Sequence, residues 1–250
     1  MNMSVIVFQM GKVGSKSIEL SLAGAGVKNV HHLHHLDVYG GVVFPDKKLR
    51  GRRDIQNTIA HARKVKAEID AADSVKIISL VRDPIARNIS AFFENFSANF
   101  GKNKDGNVLS TESIINQFLS RYNHLNCLSW FDINFKRFLD LDIYATPFHH
   151  VTKQLAFSSG KYDVLILRAE DEDSFKEASL RELMGMKTLS VLRKNSTKEK
   201  GSSIYKAYKT VRKNIRFEKS LLDTIYKSQL VTHFYTEDEV HEFRKRWDRN

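Results

Sequence analysis

The chain of 250 residues has only one cysteine, Cys127. A disulfide framework is therefore excluded, and one thiol fits a reducing compartment. No apolar run approaches the roughly 18 residues that a membrane-spanning helix needs. The opening stretch, MNMSVIVFQMGK, has a short apolar core with no basic run ahead of it. It reads as a first strand rather than a signal peptide, so the expectation is a cytoplasmic protein. Internal repeats and low-complexity linkers are lacking as well.

Apolar residues make up 42% of the chain and charged residues 28%. That composition is ordinary for a globular protein and excludes wholesale disorder. The length favours a single domain over 1–250, with an α/β core over 1–170 and a mostly helical part over 171–250. Lysine and arginine number 40 against 29 acidic residues, a formal charge of +11. Such an excess calls for an anionic partner, which composition alone does not choose.

Residues 3–9 (MSVIVFQ) form a β-branched apolar run that ends in a glycine-containing loop. Residues 15–25 are compatible with a helix through Ile18, Leu20 and Leu22, and Val27–Leu33 reads as a second short strand. Strand, loop, helix and strand in that order predict a parallel sheet with helices on both faces. The continuous apolar run at 75–81 (VKIISLV) is the pattern of a strand buried on both faces. Asp83 and Pro84 open a helix as N-cap and first helical residue, with Ile85, Ile89, Phe92, Phe93 and Phe96 along one face. GKNKDGN at 101–107 is a candidate lid. A helical pattern covers 110–140, and 144–148 (YATPF) and 163–168 (DVLILR) read as further strands. TEDE at 236–239 is a capping box that opens the last helix.

QMGKVGSKS lies between the first strand and the first helix. A loop in that place offers backbone N–H groups and a helix N-terminus to an anion. Lys12 adds a point charge, and Ser15 and Ser17 add hydroxyl donors. The Walker A pattern fits only at Lys16-Ser17, since its glycines would fall at Met10 and Ser15. A plain βα turn with flexible glycines also accommodates the spacing. The second anion motif follows the 75–81 strand. Arg82 emerges at that strand's carboxyl end, where α/β proteins bind ligands, and Ser90 and Arg87 lie on the next helix. An Arg fork and a hydroxyl are suited to one phosphate. A pairing of Arg82 with Asp83 over a simple core helix is the plainer alternative.

Together the two segments resemble the sulfotransferases that use 3′-phosphoadenosine 5′-phosphosulfate. QMGKVGSKS looks like their 5′-phosphosulfate loop, and VRDPIARNISAFF looks like their 3′-phosphate motif. The resemblance implies a three-layer α/β/α fold of P-loop-NTPase type with a central parallel sheet. It implies that Gly11, Lys12, Val13, Gly14, Ser15, Lys16 and Ser17 hold the phosphosulfate, and that Arg82 and Ser90, with Arg87 near them, hold the 3′-phosphate. Including HFYTEDEV near the end, the sequence looks closest to bacterial capsular polysaccharide synthesis proteins and carbohydrate sulfotransferases. Lys16 departs from the Thr common in cytosolic members.

VHHLHHLD at 30–37 holds four of the ten histidines. On a strand, His32 and His34 share one face, and His31 and His35 the other. A histidine is suited to taking a proton from a sugar hydroxyl near neutral pH. The resemblance implies a catalytic His at the end of this strand, His34 first and His32 second, with Glu94 as a rival base. Lys12 would stabilise the leaving phosphate, with no metal required. A metal site involving Asp37 or a purely structural strand are the other readings of the cluster.

KKLRGRRDIQNTIAHARKVK at 47–66 carries eight Lys/Arg in twenty residues. It is either a solvated helix face or a wall that draws an anionic glycan or the cofactor. Contact with a membrane surface through the basic segments is open, as is the oligomeric state. Nucleic acid is disfavoured because aromatic interleaving is missing. The resemblance implies a late basic loop over the nucleotide, with Arg193, Lys194 and Lys200 as candidates, and a solvated loop is the other reading of that stretch. The activity expected is sulfuryl transfer to a hydroxyl, favoured as a carbohydrate. A P-loop kinase with a degenerate Walker loop, or a basic module that binds glycan or nucleic acid without chemistry, are the alternatives.

Overall fold

The computed structural model describes residues 2–36, 52–94, 109–192 and 202–248. The predicted lid at 101–107, the late basic stretch with Arg193, Lys194 and Lys200, Phe96, Asp37 and the start of the basic segment at 47–51 lie outside them. The chain divides into two compact units. The first comprises Met1–Arg82 and Trp130–Arg193, the second Asp83–Ser129 and Lys194–Asn250.

The first unit is built on five strands: β1 (Met3–Phe8), β2 (Val30–Leu33), β3 (Ser74–Val81), β4 (Gln154–Ser159) and β5 (Tyr162–Arg168). They lie in the order β2-β1-β3-β5-β4. β1 pairs in parallel with β2 and β3, and β3 with β5. The sheet is not wholly parallel, because β4 runs antiparallel to β5 at the edge. Val5–Phe8, Ile77–Val81 and Val164–Leu167 are all buried. Each such aliphatic side chain contributes about 1.5–3 kcal/mol on leaving water.

Both faces of this sheet are covered. Val7 pairs with His32 and Val5 with Lys76, so these residues share a face. On that face His32 meets Glu19 of α1 (Ser15–Gly24), and Lys76 Nζ reaches the Leu183 carbonyl of α6 (Asp173–Met184) at 2.7 Å. On the other face His31, the partner of Ile6, meets Glu68 of α2 (Arg52–Ala71) at 2.5 Å. Phe8, also on that face, packs on Trp130 and stacks on Phe135. Phe135 lies in a π-helical turn, Asp132–Lys136, that runs into the short α5 (Arg137–Leu139).

Three predictions need correction here. YATPF is not a strand: Ile143–Ala145 makes one turn of 3₁₀-helix, with Asp142 accepting from the Tyr144 N–H at 3.1 Å. Pro147, which has no N–H to offer a ladder, follows at once. β4 was not foreseen, since QLAFSS buries only Leu155 and shows little of a strand's alternation. β2 is also shorter than Val27–Leu33, starting only at Val30 after Asn29 turns through a φ of 56°.

Within its described residues the second unit is helical. Its helices are α3 (Pro84–Glu94), α4 (Thr111–Arg121), α7 (Ser202–Asn214), α8 (Lys219–Tyr226), α9 (Gln229–Phe234) and α10 (Glu237–Trp247). Asp83 caps α3, accepting from Ile85 N at 3.1 Å and Ala86 N at 3.4 Å. The capping box on α10 is formed, with Thr236 and Glu239 bonding reciprocally. Phe118 gathers Phe92, His124 and Phe217 into an aromatic core. Among the described residues, no helix is long and apolar enough to cross a membrane.

A candidate anion-binding and proton-transfer site

The strand order sets the position of the site. From β1 the chain crosses to β2 on one side and then to β3 on the other, so its direction reverses between β1 and β3. In open α/β sheets the crevice outside the carboxyl ends at such a reversal is where ligands bind. The residues that leave those two ends are Gln9–Gly14 and Arg82.

The loop is shaped by its apolar residues. Met10 and Val13 are buried at 2% and 1% exposure, while Gly11, Lys12 and Gly14 stay accessible. Lys12 is left-handed, with φ 73°, and so is Gly14, with φ 103°. The second value suits glycine; the first costs a lysine roughly 1–2 kcal/mol. Left-handed residues alternating with others turn successive N–H groups to one side, a concavity for anions. Gly14 is also the N-cap of α1 and supplies no side-chain cap, so the positive end of the helix faces the loop. Ser17 N bonds to Gly14 O at 3.1 Å. Lys16 points away into solvent and pairs with Glu19 at 3.1 Å.

This loop is held from both sides. Arg82 Nη1 donates to the Lys12 carbonyl at 3.0 Å, and the His34 Nδ1 to Gln9 O distance is 2.8 Å. The first bond comes from the end of β3, the second from the end of β2. Since a carbonyl only accepts, His34 Nδ1 carries the proton in that bond. In the neutral ring Nε2 then holds the lone pair, the form a general base needs. The backbone of His34 is fixed as well, because Trp130 Nε1 donates to its carbonyl at 2.9 Å.

His32 lies beside His34 with ring centroids 4.7 Å apart, as their common face predicts. Its Nδ1 is 3.3 Å from Glu19 Oε2. Burial, then the neighbouring His34, push its pKa from 6.5 down to about 4, against the pull of Glu19. His32 is therefore neutral at pH 7. Its buried Nε2 has no hydrogen-bond partner among the described residues, nor do the two amide atoms of Gln9, whose side chain is wholly buried. Two neighbouring histidines turn elsewhere: His31 to Glu68, and His61 Nε2 to the His32 carbonyl at 3.2 Å. Among the described residues no three His, Cys, Asp or Glu side chains group as metal ligands.

The structure thus brings Gly11, Lys12, Val13, Gly14, Ser15, Lys16, Ser17, His32, His34 and Arg82 into the first unit. Ser90, Arg87 and Glu94 belong to α3 of the second unit. Ser90 is buried there, and Arg87 Nη1 donates to Asn88 Oδ1 and to Tyr122 OH, both at 3.1 Å. Gln9, Glu19 and Trp130 were missed by sequence reasoning. Glu19 had a readable signal, standing on the helix beside a histidine strand. Trp130 had none, being 96 residues from its partner.

Fold and site together define an α/β protein with a lysine-bearing, partly left-handed loop at the reversal of its sheet. Comparison with protein families places it further. Residues 103–236, more than half of the chain, match the NKWYS family, described as "Putative capsular polysaccharide synthesis protein", and the chain belongs to that family. The matched segment begins after both anion motifs. Membership points to a glycan-related role. A search of curated proteins and one of solved structures each found no match.

Proposed function

We propose that the protein transfers a sulfuryl group from 3′-phosphoadenosine 5′-phosphosulfate to a hydroxyl of a carbohydrate. The observation that carries this reading is the clamp on the β1 loop, with Arg82 on Lys12 O and His34 on Gln9 O. It joins the loop that carries Lys12 to the Arg82 cation and to an imidazole whose Nδ1 carries a proton, at the reversal of the sheet. The family description supplies the glycan.

The donor set suits a nucleotide bearing phosphate and sulfate: two left-handed residues, an open helix N-terminus, the Lys12 ammonium and the Arg82 fork. When bound, the nucleotide supplies a sulfuryl group on a phosphate leaving group. The loop amides and Ser17 hold anionic oxygens in place, which is positioning and electrostatic preorganisation. Lys12 sets a positive charge where negative charge grows. His34 Nε2 takes the hydroxyl proton, while Nδ1 stays bonded to Gln9 O and keeps the ring oriented. His32, neutral and with its pKa lowered to about 4, stands second to it.

The test is a thermal-shift titration with adenosine 3′,5′-bisphosphate, ATP–Mg²⁺ and AMP, on the native chain and on Arg82→Ala. A ligand that binds only the folded state raises the melting temperature by mass action. Stabilisation by the bisphosphate alone, lost in Arg82→Ala, is expected. Stabilisation by ATP–Mg²⁺ alone would replace this reading with that of a P-loop kinase.

A further inference from the structure

Helix α7 in the second unit carries Lys206, Lys209, Arg212 and Lys213 and no acidic residue. Arg216 and Lys219 follow, and all six are exposed. The inward side of the same segment is apolar: Tyr208, Val211 and Ile215 are buried. Lys206, Lys209 and Lys213 stand three and four residues apart, on one outward stripe. Between Lys200 and Leu222 the only carboxylate in the sequence is Glu218.

Other basic helices of the chain carry acidic partners for part of their charge. On α2, Lys64 and Lys66 face Glu68 and Asp70 at i+4. On α10, three acidic residues in the first turn offset the three basic ones in the last, and Arg244 pairs with Asp223. On α7 the like charges at i+3 and i+4 repel one another. The helix dipole accounts for Arg212 and Lys213 in the last turn, but not for Lys206 and Lys209.

We infer that the outward face of α7 binds an acidic polysaccharide chain. A polyanion relieves the repulsion along the whole stripe, which single counter-ions do only transiently. Two other polyanions fit less well. A helix that lies on a membrane keeps apolar side chains for the acyl boundary, and those of α7 are spent in the core. Single-stranded nucleic acid wants exposed stacking rings, whereas Tyr205 is partly buried, with Lys209 Nζ 4.7 Å from its ring centre. α7 also lies wholly inside the segment 103–236 that carries the capsular polysaccharide family, which the anion motifs of the first unit do not. The inference rests on that glycan and not on sulfuryl transfer, so the two readings fail separately.

The experiment uses the full chain without nucleotide and measures binding to heparin and to polygalacturonate. The comparison ligands are dextran, duplex DNA and phosphatidylglycerol–phosphatidylcholine vesicles. Binding to both acidic glycans and not to dextran is expected, weakening steeply with salt. K206Q/K209Q/R212Q/K213Q should lose on the order of tenfold in affinity and show a shallower salt dependence. Its melting temperature should not fall, because the substitutions remove repulsion. K64Q/K66Q on α2 should bind as the native chain does. Undiminished glycan binding by the α7 variant, or tighter binding of DNA or vesicles than of glycan, would overturn the inference.

Discussion

Arg82 Nη1 donates to the carbonyl of Lys12 at 3.0 Å, and the residue it holds is left-handed, with φ 73°. The cation that approaches the loop from β3 thus fixes the strained turn that presents a second cation.

Two substitutions of Lys12 separate the turn from the charge. Lys12→Gly and Lys12→Ala both remove the ammonium, but only glycine adopts the positive φ without strain. The glycine variant should be the more stable by about 1 kcal/mol, read from urea midpoints. The proposed sulfuryl transfer should fall equally in both, by about 10²–10³-fold. A glycine variant less stable than the alanine one would contradict the left-handed turn. Retained transfer in either would remove Lys12 from the chemistry.

His34 can be divided in the same way, because its two nitrogens have different duties. An Asn amide nitrogen falls near the place of Nδ1 and can still donate to Gln9 O, but it offers nothing at Nε2. His34→Asn should therefore keep its melting temperature and its shift with adenosine 3′,5′-bisphosphate. Transfer should drop by about 10²–10⁴-fold, the usual worth of a general base. His34→Ala should lose stability too, since Gln9 O is then left without that donor. If His34→Asn turned over at the native rate, the base would be another group, and Glu94 would be tested next.

Much of this architecture was legible in the sequence. Strands β1, β3 and β5 are continuous apolar runs, and burial on both faces leaves that mark directly. Asp83-Pro84 and Thr236–Glu239 announced their helices through capping chemistry that is local in sequence. The edge strand β4 was not legible, because a strand with one buried residue has almost no pattern. The loop after β1 was readable as glycines and lysines after a strand, but its clamp was not. His34 and Arg82 both bond to backbone carbonyls, which every residue has, across 25 and 70 positions. The composition of the second unit also gives no sign that Asp83–Ser129 groups with the C-terminal helices.

His32 gives a pH dependence whose sign is fixed. Its imidazole titrates at 6.5 in the unfolded chain and at about 4 in the folded one. Between those values the unfolded chain binds more protons, so stability falls as pH drops through that window. The contribution is intact above pH 6.5 and is lost by pH 4, about 3 kcal/mol in all. His32→Gln should flatten this part of the curve, as seen in urea midpoints across the window. An unchanged acid slope in the variant would show that another group carries it.

Asp83 of the second unit is buried at 1% exposure and accepts from Tyr226 OH at 2.9 Å and Trp247 Nε1 at 3.0 Å, besides the two N–H groups of α3. Burial pushes its carboxyl above the ordinary range, and the four donors oppose that push. Tyr226→Phe takes away one donor to a buried carboxyl and should cost about 1.5–3 kcal/mol wherever that carboxyl is ionised. With one donor fewer, the carboxyl rises further. In the interval between its unfolded value and the raised folded one, the folded chain binds more protons, so stability there increases on acidification. The deficit of Tyr226→Phe should therefore narrow as pH falls, because the protonated acid no longer needs the lost donor. Urea midpoints of the native chain and the variant across the acidic range measure this. A deficit that widened on acidification would mean that the phenol holds the protonated acid and not the carboxylate.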